Sequence, residues 1–181
     1  MKTESTVKYV LRLALTLLAI TAVVAAALAG VNSITAPAIA ELNAQKTQAA
    51  IELVLPGGGE AVDFPETALV SKVYASDTGY AVEVTPGGFD NTITMMVGVD
   101  KSGTVLGISI ISHTETAGLG AVAAAGTPAG EAFRNEFVGA SGSVAVTKDG
   151  GEVDSITGAT ITSRAVCVGV NAALEVVAKM G

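Results

Sequence analysis

The sequence DSITGATITSRAVCVGVNAALEVVAKM, residues 154–180, joins a segment of small and hydroxyl-bearing residues to a long apolar run. In the second part, apolar residues recur at spacings of three and four, which predicts a helix that continues to residue 180. We expect Thr162 or Ser163 to be its N-cap, because a hydroxyl side chain accepts hydrogen bonds from the unpaired N–H groups of a first helical turn.

A helix that begins at this point favours negative charge just before it. Its unpaired N–H groups and the positive end of its dipole point toward residues 157–160. Gly158 and Ala159 are small enough to let an anionic group approach the backbone closely. The same residue types are also typical of an ordinary capped loop, so the local pattern leaves both interpretations open.

Two segments of the chain resemble signatures of one family of electron transport proteins. DSITGAT, residues 154–160, is similar to the D-x-x-[ST]-G-A-[ST] flavinylation motif, in which a flavin transferase of the ApbE type joins FMN by a phosphodiester to the last hydroxyl residue. HTETAGLG, residues 113–120, resembles the H-x-E-T-P-G-L-G signature of the G subunit of Rnf-type complexes and of the related C subunit of the sodium-pumping NADH:quinone reductase. Ala117 stands where that signature usually has proline.

The resemblance implies a set of residues around FMN. Thr160 would carry the phosphodiester, and the loop of residues 113–120 would lie against the isoalloxazine ring or at a partner surface. Asp154 would serve recognition by the transferase or would shape the loop. The cofactor-binding residues predicted on this basis are Thr157, Gly158, Ala159, Thr160, Thr162, Ser163, His113, Glu115, Thr116, Gly118 and Leu119. No metal ligand is expected, and the alternative for His113 and Glu115 is a hydrogen-bonded pair within their own loop.

Composition excludes several classes of function. The formal net charge is −7. Residues 1–12 carry more basic than acidic side chains, so the rest of the chain is more acidic still. An acidic body argues against nucleic-acid binding, which requires a basic face. With one cysteine and one histidine, the chain cannot form an intramolecular disulfide or a cysteine-only iron–sulfur or zinc site by itself.

The N-terminal region predicts a membrane anchor. Residues 13–31 contain no charged side chain, and a helix of that length crosses most of a hydrocarbon core of roughly 30 Å. A cleavable signal peptide is the rival interpretation, since residues 27–29 form a small-x-small pattern, but the apolar run exceeds a signal peptide's apolar region and the family retains its anchor. Basic residues precede the span, so the positive-inside rule places the N-terminus in the cytoplasm.

The rest of the chain predicts an α+β domain with a twisted, mainly antiparallel sheet and flanking helices. Strand patterns cover residues 68–75, 79–85, 92–99 and 104–112, with a hairpin turn over 100–103 and one more edge strand over 143–147. Helices are expected over 38–55, ended by the Pro-Gly run that follows, and over 128–137. The predicted division is a cytoplasmic N-terminus (1–12), a transmembrane helix (13–31), a linker helix (32–60) and an extracytoplasmic FMN-binding domain (61–181).

These features together predict a single-pass, covalently flavinylated electron carrier in the cell (inner) membrane. It would belong to an Rnf-type complex that couples electron transfer between ferredoxin and NAD to Na⁺ or H⁺ transport, and it would not be catalytic alone. Its expected partners are the A, B, C, D and E type subunits, the ApbE-type transferase and the lipid bilayer. The alternatives are a C-type subunit of the quinone reductase, a stand-alone extracytoplasmic FMN carrier, or a non-redox, membrane-tethered binding module.

Overall fold

A computed structural model describes residues 3–180, with side-chain exposure from residue 6 onward. The chain divides into two units, Met1–Gln45 and Lys46–Gly181. The first helix, α1 (Thr3–Val54), makes up the described part of the first unit and supplies the first residues of the second.

The part of α1 in the first unit is an apolar helix in which several hydroxyl groups bond to the helix backbone. Hydroxyls of Thr16, Thr21, Ser33 and Thr35 donate to carbonyls three or four residues earlier, at 2.8–3.0 Å. This pattern leaves few free polar groups and suits a helix in lipid. By length and composition, α1 is long and apolar enough to span a membrane.

The helix expected over 38–55 is not a separate element. It is the last part of α1, which runs through Pro37 without a break. Proline removes one backbone donor from a helix, and a helix already several turns long on both sides can absorb that loss.

The second unit is built on a five-stranded sheet in which every neighbouring pair is antiparallel. The strands follow each other in chain order, and they are β1 (Glu60–Val62), β2 (Val70–Ala75), β3 (Gly79–Val84), β4 (Thr94–Asp100) and β5 (Val105–Ser112). β2 to β5 and the turn between β4 and β5 confirm the sequence prediction. The short strand β1 was not predicted.

The prediction of an edge strand over residues 143–147 was wrong. The backbone there makes a single parallel bridge, between Val146 and Val153, and then enters a 3-10 turn, Thr147–Asp149. The N–H and C=O of Val144 bond instead to the side-chain amide of Asn171, each at 2.8 Å. Because a side chain satisfies these backbone groups, no neighbouring strand is needed.

Both faces of the sheet are covered. One face packs against α3 (Thr160–Met180) and the short helix α2 (Pro128–Asn135), with Phe133 and Phe137 in edge-to-face contact at 5.3 Å. The other face packs against the end of α1, through Ala50, Ile51, Val54 and Leu55. The inner strand β4 is therefore buried from Met95 to Val99, instead of alternating between buried and exposed positions.

Helix α3 begins earlier than the sequence analysis expected, so the assignment of Thr162 or Ser163 as N-cap was wrong. The backbone N–H of Ser163 already bonds to the carbonyl of Ala159 at 3.0 Å, which places residues 160–162 in the first turn. The Ser163 hydroxyl bonds back to the same carbonyl and accepts the N–H of Ile156, each at 3.0 Å. α3 is apolar enough to pass for a membrane span, but most of it is buried in this unit and it acts as a core helix.

A glycine in β4 sets the distance between the sheet and α1. A Cβ added at Gly98 would lie 2.2 Å from the carbonyl oxygen of Val54, whereas one added at the paired Gly107 would meet nothing within 4 Å. We expect Gly98→Ala to lower the free energy of unfolding by about 1–3 kcal/mol, because the helix must move away from the sheet.

Denaturant unfolding of the full chain in detergent would measure this loss, with Gly107→Ala as the matched control. A Gly98→Ala protein as stable as the Gly107→Ala protein would contradict the packing described here.

Candidate functional site

Four separate segments of the second unit form a cleft of about 320 Å³. They are the loop after β3, the loop after β5, the 3-10 turn Thr147–Asp149 and the start of α3. The residues that line it are Phe89, Glu115, Thr116, Leu119, Gly120, Lys148, Gly158, Ala159, Thr160, Ile161 and Thr162. The volume lies at the lower end of the range for small-molecule sites, and the cleft opens to solvent.

The buried carboxylate of Glu115 joins three of these segments. One oxygen accepts the N–H groups of Phe89 and Asp90, at 2.9 and 3.4 Å, and the other accepts the hydroxyl of Thr162 at 2.5 Å. Only 7% of Glu115 is exposed, and a carboxylate is kept in such a place when several donors satisfy its oxygens. Glu115 therefore fixes both loops relative to α3.

Two glycines make this arrangement sterically possible. A Cβ added at Gly88 would lie 2.2 Å from one Glu115 oxygen, and one added at Gly120 would lie 2.4 Å from the Thr162 hydroxyl. Both are closer than real Cβ contacts, so each loop needs glycine where it approaches the carboxylate.

A tight turn presents the start of α3 to the cleft. The N–H of Ala159 bonds to the carbonyl of Ile156 at 2.9 Å, and Gly158 takes a φ of +76°, which favours glycine. A Cβ at Gly158 would also lie 2.9 Å from Leu119, so the turn packs tightly against the loop after β5. The shape of the backbone thus requires glycine at position 158 of the motif.

Thr160 is the first residue of α3, and it lines the cleft half-buried. Its hydroxyl oxygen accepts a hydrogen bond from Nζ of Lys148 at 2.9 Å. The first N–H groups of a helix have no partner within the helix, so a hydroxyl, an ammonium group and the positive helix end meet here. This combination suits an anion.

The rim of the cleft is apolar. Phe89, Leu119 and Ile161 are 66%, 42% and 50% exposed, and all three line the cleft. A flat aromatic ring can pack against such side chains while keeping one edge in solvent. The residues present therefore fit a ligand that has both an anionic group and a flat ring, as FMN has.

The structure brings most of the predicted site residues together and separates a few. Glu115, Thr116, Leu119, Gly158, Ala159, Thr160 and Thr162 line the cleft. Asp154, Thr157 and Gly118 instead line a neighbouring surface groove beside α2. Ser163 is buried, and His113 accepts the N–H of Glu115 at Nδ1, at 3.2 Å, within its own loop.

Sequence reasoning missed Lys148, Phe89, Gly120 and Ile161 as cleft residues. A signal existed for two of them. Lys148 begins the turn that leads into the 154–160 motif, and Phe89 is a rare aromatic residue that follows two glycines.

Comparison with known proteins agrees with this geometry. The profile of the FMN-binding domain family matches residues 88–175, the part of the chain that supplies all the cleft residues. The G subunit of the Na⁺-translocating ferredoxin:NAD⁺ oxidoreductase complex of Acetobacterium woodii is 35% identical, over 93% of this chain and 92% of its own length. The G subunit of an ion-translocating oxidoreductase complex of Methanosarcina acetivorans is 31% identical, over 94% and 95%.

The chain belongs to the G-subunit family of ion-translocating oxidoreductase complexes. A third relative, the G subunit of the Vibrio vulnificus complex, is 43% identical over 55% of this chain and 49% of its own length. The resemblance drawn from the two motifs is confirmed, as is the expectation of an electron-carrying subunit with an FMN-binding domain. As a G-subunit protein, the chain is part of a multisubunit membrane complex, and α1 is its candidate membrane helix.

The role of Glu115 can be tested in this G-subunit protein by truncating its side chain. Glu115→Ala leaves the Thr162 hydroxyl and the Phe89 N–H without their acceptor, at an expected cost of about 1–3 kcal/mol in unfolding free energy. Hydrogen exchange of the segment around residues 86–91 should become faster in the protein without FMN. Glu66→Ala, at an exposed position, is the matched control and should change stability by less than about 0.5 kcal/mol. Equal exchange in the two variants would mean that Glu115 does not hold the loop.

Proposed function

We propose that this G-subunit protein carries FMN joined by a phosphodiester to Thr160 and passes electrons within an Rnf-type complex. The observation that carries the proposal is the position of the Thr160 hydroxyl. Thr160 is the last residue of the segment that resembles the flavinylation motif, and it lines a cleft inside the region that matches the FMN-binding domain family.

Formation of the link requires an activated FMN donor, and a flavin dinucleotide has the necessary diphosphate bond. Oγ1 of Thr160 attacks the phosphorus of the FMN half, and an oxygen–phosphorus bond forms. The diphosphate bond breaks, and the nucleoside monophosphate leaves with the electron pair. The hydroxyl proton passes to a base of the ApbE-type transferase. No atom is oxidised or reduced.

The residues of the cleft would then hold the two ends of the cofactor. The phosphodiester keeps one negative charge, which Lys148 and the free N–H groups at the start of α3 would stabilise. Phe89, Leu119 and Ile161 offer an apolar surface to the ring. When bound, FMN supplies one-electron chemistry, while the protein supplies position and electrostatics.

The groove beside α2 is where the transferase would recognise the chain. Asp154 and Thr157 are exposed there, and the backbone N–H of Asp154 bonds to the carboxylate of Glu136. An exposed carboxylate next to the attachment turn gives the enzyme a polar group to bind, and it leaves the cleft free for FMN.

The partners follow from the family. The Acetobacterium relative is named as part of a ferredoxin:NAD⁺ oxidoreductase that translocates Na⁺. By extension, this protein would pass electrons between redox groups of neighbouring A to E type subunits. The complex would couple ferredoxin:NAD electron flow to transport of Na⁺ or H⁺.

The membrane arrangement we propose has a single span over residues 13–31, with the N-terminus in the cytoplasm and the FMN-binding domain on the opposite side. The basic residues before the span support this orientation. A covalent link suits the far side of the membrane, where a dissociated flavin would be lost.

Intact-mass measurement after co-expression with an ApbE-type transferase tests the attachment. The wild-type chain and Thr160→Ser should each gain the mass of one FMN group less water, because both keep a hydroxyl. Thr160→Ala should gain none, and the exposed Thr92→Ala should behave as wild type. An FMN group mapped to a peptide without Thr160 would overturn the site, and an unmodified wild-type chain would overturn the function.

The orientation can be tested in intact cells with a maleimide that does not cross the cell (inner) membrane but does reach its outer surface. The native Cys167 should stay unlabelled, because burial raises the pKa of its thiol to about 11 and little reactive thiolate is present near neutral pH. Asp77→Cys, in the exposed β2–β3 turn, should be labelled in intact cells, and Ser5→Cys only after lysis. The reverse pattern would refute the proposed orientation.

A further inference from the structure

Lys148 has a fixed place beside the attachment residue. It lies in the 3-10 turn Thr147–Asp149, which the chain holds through the bridge between Val146 and Val153 and a 2.8 Å bond from the Thr147 N–H to the Val153 carbonyl. The turn closes through Gly150, at a φ of +86°. A Cβ at Gly151 would lie 2.0 Å from the Ala145 carbonyl oxygen, so the two segments are tightly packed.

Among the described residues, the ammonium group of Lys148 bonds to Thr160 and forms no ion pair with an acidic side chain. Within residues 6–180, no carboxylate lies within 4.0 Å of its Nζ, and its hydrogen bond goes to the Thr160 hydroxyl at 2.9 Å. The adjacent Asp149 is bound by Arg164 through two bonds of 2.6 and 2.7 Å. That contact is the main reason that the pKa of Asp149 is lowered, with a smaller contribution from the charge of Lys148, and it raises the pKa of Arg164.

Lys148 is also the only cationic side chain among the described residues that line the cleft. The other charged residue there, Glu115, has its oxygens occupied by the two loops and by Thr162. A negative group that enters near Thr160 therefore lies within reach of one cation, the ammonium group of Lys148.

Esterification of Thr160 changes what Lys148 can bind. The hydroxyl oxygen that now accepts its hydrogen bond becomes a bridging ester oxygen, which is a weak acceptor. The two non-bridging oxygens of the phosphate share one negative charge and lie two bonds beyond the ester oxygen, within reach of a flexible ammonium group with three donors. The bond from the ammonium group to the hydroxyl has one ionised partner, whereas a bond to the phosphodiester would have two and would gain the attraction between opposite charges.

We propose that Lys148 is a positioning residue that binds the phosphodiester formed at Thr160 and thereby restricts the flavin to the cleft. The inference rests on the proposed attachment at Thr160. A flavin held by the threonine side chain alone would swing on a series of single bonds. A second contact at the phosphate removes much of that freedom, and it directs the ring toward the apolar rim.

The test compares flavinylated full-length chains, purified in detergent after co-expression with the transferase. Intact mass first establishes that each sample carries one FMN on the peptide with Thr160. Time-resolved fluorescence anisotropy of that FMN then measures its local motion. We expect a several-fold larger amplitude of fast, nanosecond depolarisation in Lys148→Met than in wild type. Lys148→Arg, which keeps the charge, should restore the wild-type decay.

Lys101→Met is the matched control, because Lys101 is an exposed lysine in the β4–β5 turn that does not line the cleft. It should leave the anisotropy decay unchanged. A flavinylated Lys148→Met chain with the wild-type decay would overturn the role of Lys148 while leaving the attachment intact. A wild-type chain without FMN at Thr160 would overturn both proposals, so the two failures are distinct.

The variant can also lose modification altogether. An unmodified Lys148→Met chain beside a normally modified Lys148→Arg chain would support the same contact, acting on the hydroxyl before the bond forms. If both variants were folded and unmodified, the proposal would fail, since arginine preserves the charge on which it depends.

Discussion

The site of this protein depends on one buried carboxylate. Glu115 accepts hydrogen bonds from the loop after β3 and from the first turn of α3, while its own backbone belongs to the loop after β5. These segments are distant in sequence, and nothing else in the described chain joins all three by side-chain hydrogen bonds. A buried charge is tolerated only when its oxygens are satisfied, so the three segments and the carboxylate require each other.

The core beneath the site also depends on glycines, which let two helices approach the sheet closely. Gly98 lets the end of α1 lie directly on one face of the sheet, and Gly169 lets α3 lie near Met95 and Pro86 on the other. A helix that is pressed against a sheet along its length has little freedom to slide or rotate. The first turn of α3 is thus placed by the core, and the turn of residues 156–159 follows from it.

Much of this architecture could be predicted from the sequence. The four main strands follow from β-branched runs separated by turn residues, and the two signatures identified the loops that meet at the cleft. The N-cap assignment failed because the hydroxyls of Thr162 and Ser163 have other partners, Glu115 and the Ala159 carbonyl. The proposed strand at 143–147 failed because the side chain of Asn171, far along the chain, replaces a strand partner.

The contact between Lys148 and Thr160 could not be predicted from local pattern. It depends on how the Gly150-Gly151 turn folds the chain back against the motif, and a tertiary path of this kind leaves no periodic signal in the sequence. The role of Glu115 was similarly ambiguous, since a signature names a residue without its bonding partners. Sequence identified most of the cleft residues, and only the fold identified which of them hold the others in place.

The Thr160 hydroxyl, the proposed attachment point, stands on the first turn of a core helix and not on a free loop. A redox group joined there and also held at its phosphate would move together with the domain. The distance over which an electron is handed to a neighbouring protein would then be governed by the orientation of the whole domain. In such a carrier, docking of the domain would set the pace of electron exchange.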